Sequence, residues 1–284
     1  MQQKNYIEFK EERDLGAILS DTFSFFRQNF KPLFKIIFKI AGPAFLLLVA
    51  ALTYYSYMVS GGNSPATLMQ SRTAEFSIAF LVFALALLIF YSSLYATVLN
   101  YIKSYIINNG MVVEEEIKQG HRNYFAKFFL FFIVSAILVI AGLFLLVLPG
   151  IYLMVPLSIG TAVMIFNEES LTETISSCLH YIKDNWWYTF FTLIVFGILI
   201  YIIGYIFQLP AVIYTVMGIF TKSGEVSAAT AEADWVFVIL NVFGSIVNYL
   251  LATVSVICIS FIYFSLNEKK NFTGTYENID NLGN

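Results

Sequence analysis

Arg27, Lys31, Lys35 and Lys39 recur at every fourth residue on the way into the first long apolar segment of the chain. On an α-helix this spacing sets four cations in one row, about 6 Å apart along the axis. Such a row binds oxyanions, so its chemistry is that of an anionic lipid headgroup or a phosphate. The same residues also suit lysines snorkelling to a bilayer interface, or an acidic loop of a partner subunit. A second constellation lies near the other end. Asn241, Ser245, Asn248, Ala252 and Ser255 follow at steps of 4, 3, 4 and 3, with Gly244 beside them. That register gives close helix packing with interhelical hydrogen bonds, lines a polar cavity, or meets another subunit. Ser93, Ala96 and Asn100 make a weaker stripe of the same kind.

Little else in the chain could do chemistry. No GxSxG, HExxH or P-loop pattern occurs, and no catalytic residue is assigned. His121 and His180 are far apart and lack ligand neighbours, so no metal or other cofactor is expected. Cys178 and Cys258 have no CxxC partner and read as free, small apolar residues. Glu114, Glu115 and Glu116 read as a solvated loop. Glu168 and Glu169 read as N-terminal charges for a helix starting near Ser170.

The elements that carry these residues follow from composition. The chain of 284 residues is 58% hydrophobic and only 12% charged, with a mean hydropathy of +0.74. A soluble domain carries about twice that charge density. Nucleic acid is not an expected partner, because no basic cluster is interleaved with aromatics. The apolar residues come in blocks, and a crossing needs about 20 of them. Six spans are expected, near 33–57, 76–100, 126–148, 151–167, 188–209 and 235–264. Pro149-Gly150 separates the third from the fourth and is expected to form a tight turn. The fourth span is short and contains Pro156, which predicts that it is tilted, unwound or shielded by its neighbours. Residues 211–220, after Pro210, read as an interfacial or re-entrant piece.

With the N-terminus in the cytoplasm, fourteen lysines and arginines fall on the cytoplasmic side and only Arg72 and Lys222 on the other. Both termini are therefore expected to be cytoplasmic. The segment 1–13 carries no cleavable signal pattern and reads as a polar N-terminus, 14–266 as the membrane domain, and 267–284 as a polar tail. No Asp or Glu falls in the middle of any expected span, which argues against a proton-driven pump.

The stretches 14–30 and 170–186 resemble each other at an offset of 156. Leu15, Leu19, Thr22, Phe23, Phe26 and Phe30 correspond to Leu171, Ile175, Cys178, Leu179, Ile182 and Trp186, one helical face in each case. Asp14 and Ser170 are candidate caps, and Ser170 with Glu173 fits a capping box. Each stretch is expected to be an amphipathic helix, lying in the cytoplasmic headgroup layer, packed on the bundle, or both on opposite faces. The fold class is then all-α: a polytopic bundle of six transmembrane helices with two amphipathic lead-in helices in a parallel pseudo-repeat.

From 146 to 187, "LVLPGIYLMVPLSIGTAVMIFNEESLTETISSCLHYIKDNWW", the chain resembles the membrane domain attached to some glycerophosphoryl diester phosphodiesterases and the related YciC-like bacterial proteins. The stretch "RDLGAILSDTFSFFRQNFKPL" is similar to the start of that domain, and most of 12–266 fits. The resemblance implies a membrane module without the catalytic barrel, for which the 18 residues after 266 leave no room. No functional residue is carried over. The expected role is a non-catalytic accessory or scaffolding subunit of a bacterial inner-membrane or envelope complex. Its expected partners are the bilayer, anionic phospholipid and other membrane subunits. The alternative is a transporter or lipid-handling protein, with a polar cavity near the fourth and sixth spans and Lys35 and Lys39 at its mouth. A carrier should point Asn241 and Asn248 into a cavity. A scaffold should bury them.

Overall fold

The computed structural model describes residues 6–60, 73–145, 147–222 and 234–282, and among these there is no strand. The helices are α1 (Leu15–Ile40), α2 (Gly42–Ser60), α3 (Thr73–Ile107), α4 (Glu114–Leu145) and α5 (Val147–Ser158). They continue with α6 (Gly160–Phe166), α7 (Leu171–Ile182), α8 (Trp186–Lys222), α9 (Trp235–Asn271) and α10 (Thr273–Leu282). Six stretches are long and apolar enough to cross a bilayer: Gly42–Val59, Ala74–Ile107, Glu114–Leu145, Val147–Phe166, Trp186–Gly218 and Trp235–Asn271. The protein is an all-α, multi-pass integral membrane protein. Arg72 lies outside the described residues, as does the side chain of Lys222.

The number of spans agrees with the hydropathy pattern, but several boundaries do not. The first helix does not stop at Phe30. It runs through Pro32 to Ile40. Proline removes one backbone donor and frees the carbonyl four residues back. Pro32 sits on the exposed side, so the freed carbonyl of Gln28 needs no protein partner, while Asn29 and Leu33 stay packed on the other face. Pro210 is likewise exposed, and α8 continues through it. Residues 211–220 are therefore the last turns of the fifth span and not a separate re-entrant piece. The buried Pro156 behaves differently: the helix breaks three residues later, at Ile159. The carbonyl it frees, that of Tyr152, accepts the indole N–H of Trp186 at 3.2 Å. The span Val147–Phe166 is also the most shielded of the six, 61% buried.

Pro149-Gly150 does not form the turn between the third and fourth spans, because both residues lie inside α5. Pro149 occupies the first turn of α5, where its missing N–H costs nothing. Gly150 is needed for close approach: a Cβ on Gly142 would stand 2.9 Å from the Cα of Gly150. Glu114, Glu115 and Glu116 are not in a loop. They form the first turn of α4, where carboxylates complement the helix dipole.

The chain divides into two compact units. Unit 2 comprises Gly42–Tyr91 and Ile198–Ala252. It holds α2 and the parts of α3, α8 and α9 within those limits, whose only charged residues are Glu75 and Lys222. Tyr55 stacks on Phe83 at 5.2 Å, and Phe45 meets Phe90 at 5.6 Å. Unit 1 comprises Met1–Ala41, Ser92–Gly197 and Thr253–Asn284. Of the 16 lysines and arginines, all but Arg72 and Lys222 belong to it, which is 14.

The described residues toward each terminus include buried ones that pack within unit 1. Phe9 is fully buried and stacks on Phe261 at 4.4 Å. Arg13 is 5% exposed. Its Nε donates to Asp21 at 2.7 Å, its Nη1 donates to the carbonyls of Phe9 and Glu11 at 3.1 Å each, and Nη2 donates to the carbonyl of Glu8. Its guanidinium lies 4.9 Å from the Phe261 ring centre. Tyr188 Oη donates to the Arg13 carbonyl at 2.6 Å, and Ser265 Oγ joins the same main chain. At the other end, Glu268 is 6% exposed and accepts the N–H groups of Gly274 (2.7 Å) and Thr275 (2.9 Å), which caps α10.

Candidate functional site

α1 carries three different faces. Ile18, Thr22, Phe25, Asn29, Leu33 and Ile36 form its buried stripe. Phe26, Phe30, Phe34 and Phe38 form a ladder of rings spaced 4.7–6.0 Å apart, and Phe30 and Phe38 are each 48% exposed. The row Arg27, Lys31, Lys35 and Lys39 lies next to that ladder, all four exposed. Lys39 is spent within the protein, 2.5 Å from Glu114 of α4, which Lys118 also approaches at 3.0 Å. Among the described residues no carboxylate stands within ion-pair distance of Arg27, Lys31 or Lys35. Phe26, Arg27, Phe30, Lys31 and Pro32 frame a shallow groove on this side.

The face expected from the offset of 156 is rotated from the one observed. Of the twelve residues assigned to it, only Thr22, Cys178 and Ile182 are buried. Leu15, Leu19, Phe23 and Phe26 are half-exposed. Asp14 caps α1 by accepting the N–H of Ala17 at 2.7 Å. Glu173 accepts the backbone N–H (2.9 Å) and the hydroxyl (2.6 Å) of Ser170. These bonds hold the Glu173 carboxyl below its ordinary value. α7 ends at Ile182, and a turn at 183–185 separates it from α8. Cys178 and Cys258 are free and buried. Burial, with Glu169 nearby, pushes the Cys178 thiol up to about 12.

The stripe on α9 divides between the units. In unit 2, Ser56 donates to Asn241 at 3.2 Å. Asn248 donates to the carbonyl of Gly244 at 2.9 Å and to that of Gly204 on α8 at 3.4 Å. A Cβ on Gly244 would meet Gln208 Oε1 at 2.2 Å. Ser245 and Asn248 also edge a cavity of about 290 Å³ with Tyr201, Tyr205 and Gln208. Ala252 ends the unit-2 portion, and Ser255 belongs to unit 1. Asn241, Gly244 and Asn248 are thus used in helix packing.

Two cavities with several polar side chains each lie in unit 1. One, of about 670 Å³, runs between α3 and α4 past Lys103, Gln119, Asn123, Lys127 and Glu168. The other, of about 630 Å³, lies where the loop after α6 meets α9 and is lined by Lys10, Lys103, Asn167, Glu169, Tyr181 and Asn267, among others. It thus touches the end of the fourth span and the sixth, but Lys10 and Lys103 line it, not Lys35 and Lys39. Glu168 lines the first of these cavities and Glu169 the second, and both directly precede the Ser170 cap of α7. Lys103 Nζ lies 2.7 Å from Glu168 Oε1, and this contact holds the Glu168 carboxyl below its ordinary value. Glu169 Oε1 accepts from Asn167 Nδ2 and Ser177 Oγ, both at 2.9 Å. Around it, Tyr263 Oη donates to Asn167 at 2.5 Å and Tyr181 Oη donates to Asn267 at 3.1 Å. Sequence reasoning missed Lys103, Lys127 and Glu169. The one available signal was the adjacent Glu168-Glu169 pair at the end of a span. No family model matches the chain, and no curated protein or solved structure is significantly similar to it.

Proposed function

We propose that this membrane protein is a non-catalytic accessory or scaffolding subunit of a bacterial inner-membrane complex, held against an anionic cytoplasmic leaflet through α1. The carrying observation is the outer surface of that helix: exposed phenylalanines beside Arg27, Lys31 and Lys35, with no described acidic partner. Rings at headgroup depth and cations beside phosphates are what an interfacial amphipathic helix presents. Three such cations are worth about 3 kcal/mol at an anionic surface. The concentration of 14 of 16 lysines and arginines in unit 1 supports placing it, with both termini, on the cytoplasmic side. The use of Asn241 and Asn248 in packing favours the scaffold over a carrier.

A duplication also fits. Ile18, Thr22, Phe25, Leu33 and Ile36 are buried, and so are the residues 156 further on: Thr174, Cys178, Tyr181, Thr189 and Thr192. The unit limits after Ala41 and after Gly197 are 156 apart as well. The likeness to the phosphodiesterase-associated membrane domain agrees with a module that lacks a reaction of its own.

The test is co-purification in mild detergent with mass spectrometry. Stoichiometric membrane subunits and bound phosphatidylglycerol are expected, and Arg27, Lys31 and Lys35 changed together to Gln should lower the bound anionic lipid several-fold. Unchanged lipid retention would remove α1 as the contact, and a protein that purifies alone would remove the scaffold.

A further inference from the structure

We propose that the two cavities meeting at Lys103 form a single binding site in unit 1 for an aminoalkyl phosphate. Its phosphate would lie toward α4 and its ammonium toward Glu169. The site is separate from the α1 surface.

Lys103 lines both cavities, and its ammonium has three donors, of which Glu168 takes one. On α4, Gln119, Asn123 and Lys127 follow at steps of four along the first cavity. Among the described residues none of the three side chains has a hydrogen-bonding partner, and the charge that acts on Lys127 is that of Glu168 in the same cavity. Lys127 rests over the Tyr124 ring at 5.0 Å. Two ammoniums and two amides suit the several oxygens of a phosphate better than the two oxygens of a carboxylate.

The second cavity holds one carboxylate, Glu169, beside the ammoniums of Lys10 and Lys103. Its polar groups form a network that is satisfied apart from one atom: Glu169 Oε2 is buried and has no partner. A buried carboxylate oxygen left unpaired is costly, and an ammonium supplies both a donor and the compensating charge. Ile107, Phe166 and Phe264 offer apolar wall for the carbons between the two charged groups. Glu168, at φ +59°, turns the chain so that successive carboxylates face different cavities.

The ligand chemistry has two sources, the headgroup of an aminophospholipid or the free ester. Purified full-length protein would be offered equal phosphatidylethanolamine and phosphatidylglycerol, with retained lipid read by native mass spectrometry. Free phosphoethanolamine would be titrated calorimetrically in parallel. A preference for phosphatidylethanolamine identifies the lipid as the source, and binding of the free ester without a lipid preference identifies the soluble compound. In either case Glu169→Gln should lower the preference or the affinity roughly tenfold, the effect of one charge-assisted hydrogen bond. Lys127→Gln, at an exposed position, should weaken binding by a similar factor with an unchanged melting temperature. Neither kind of binding by the wild type, or binding indifferent to both substitutions, would overturn the assignment.

Discussion

Replacing Arg13 by alanine should cost this protein about 3–5 kcal/mol of stability. The side chain is 3% exposed, and its guanidinium serves Asp21 and the carbonyls of Glu8, Phe9 and Glu11. Phe9 is fully buried, and its carbonyl keeps the N–H of Glu11 at 2.9 Å but loses the guanidinium; a bond to a charged donor of this kind is worth about 1.5–3 kcal/mol. Loss of the guanidinium from the face of Phe261 removes about 0.5–2 kcal/mol more. Asp21 is 34% exposed and can rehydrate, so its share is the smallest. Arg13→Lys keeps the charge but loses the planar fork, and should recover less than half of the loss. The assay is reversible unfolding in mixed micelles, followed by tryptophan fluorescence. A double-mutant cycle with Asp21→Asn isolates the ion pair, with an expected coupling of about 1–2 kcal/mol. A loss below about 1 kcal/mol for Arg13→Ala would refute the view that this side chain ties the N-terminal segment to α1 and α9.

Other substitutions probe separate parts of the argument. Gly142→Val should lose about 1–3 kcal/mol in the same assay, because its Cβ meets the main chain of Gly150, which cannot yield. Gly197→Ala, with nothing within 4 Å of the added carbon, should be neutral or slightly stabilising. The Glu173 carboxyl is held below its ordinary 4.5 by Ser170. Its stabilising share is therefore present above that pH and lost as pH falls through the depressed value, so Glu173→Gln should be less stable than wild type at pH 7 and converge with it in acid. Cys178, raised to about 12 and buried, should resist maleimide at neutral pH and react on unfolding in dodecyl sulfate. Rapid labelling of the native protein would contradict its burial. Asn248→Ala should cost less than about 1 kcal/mol, since its bond to the neighbouring helix is long at 3.4 Å.

Some of these features were legible in the residues and some were not. The caps at Asp14 and Ser170 depend on contacts within one turn, and both formed where the local pattern placed them. The length of α1 was misread because a proline inside a helix is tolerated or not according to what surrounds the carbonyl it frees. Pro32 leaves that carbonyl on an exposed side, whereas the carbonyl freed by Pro156 is taken up by Trp186, 34 residues away. The polar look of both chain ends was misleading for a similar reason. Arg13 and Glu268 are buried because the chain folds back on each, so that main-chain groups four and seven residues away satisfy them, and because Phe261 of α9 covers the guanidinium of Arg13.

By itself the sequence determined the class of the protein. Blocks of about 20 apolar residues must bury their backbone polarity in helices when they enter lipid, whatever their neighbours. The number of spans follows from the same local accounting. Tertiary structure alone decided which face of α1 meets protein, which of its four cations is already paired, and that Lys103, Lys127 and Glu169 edge two cavities with Lys103 in common. Those outcomes depend on helices far apart in the chain approaching one another, and composition and periodicity carry no record of that approach.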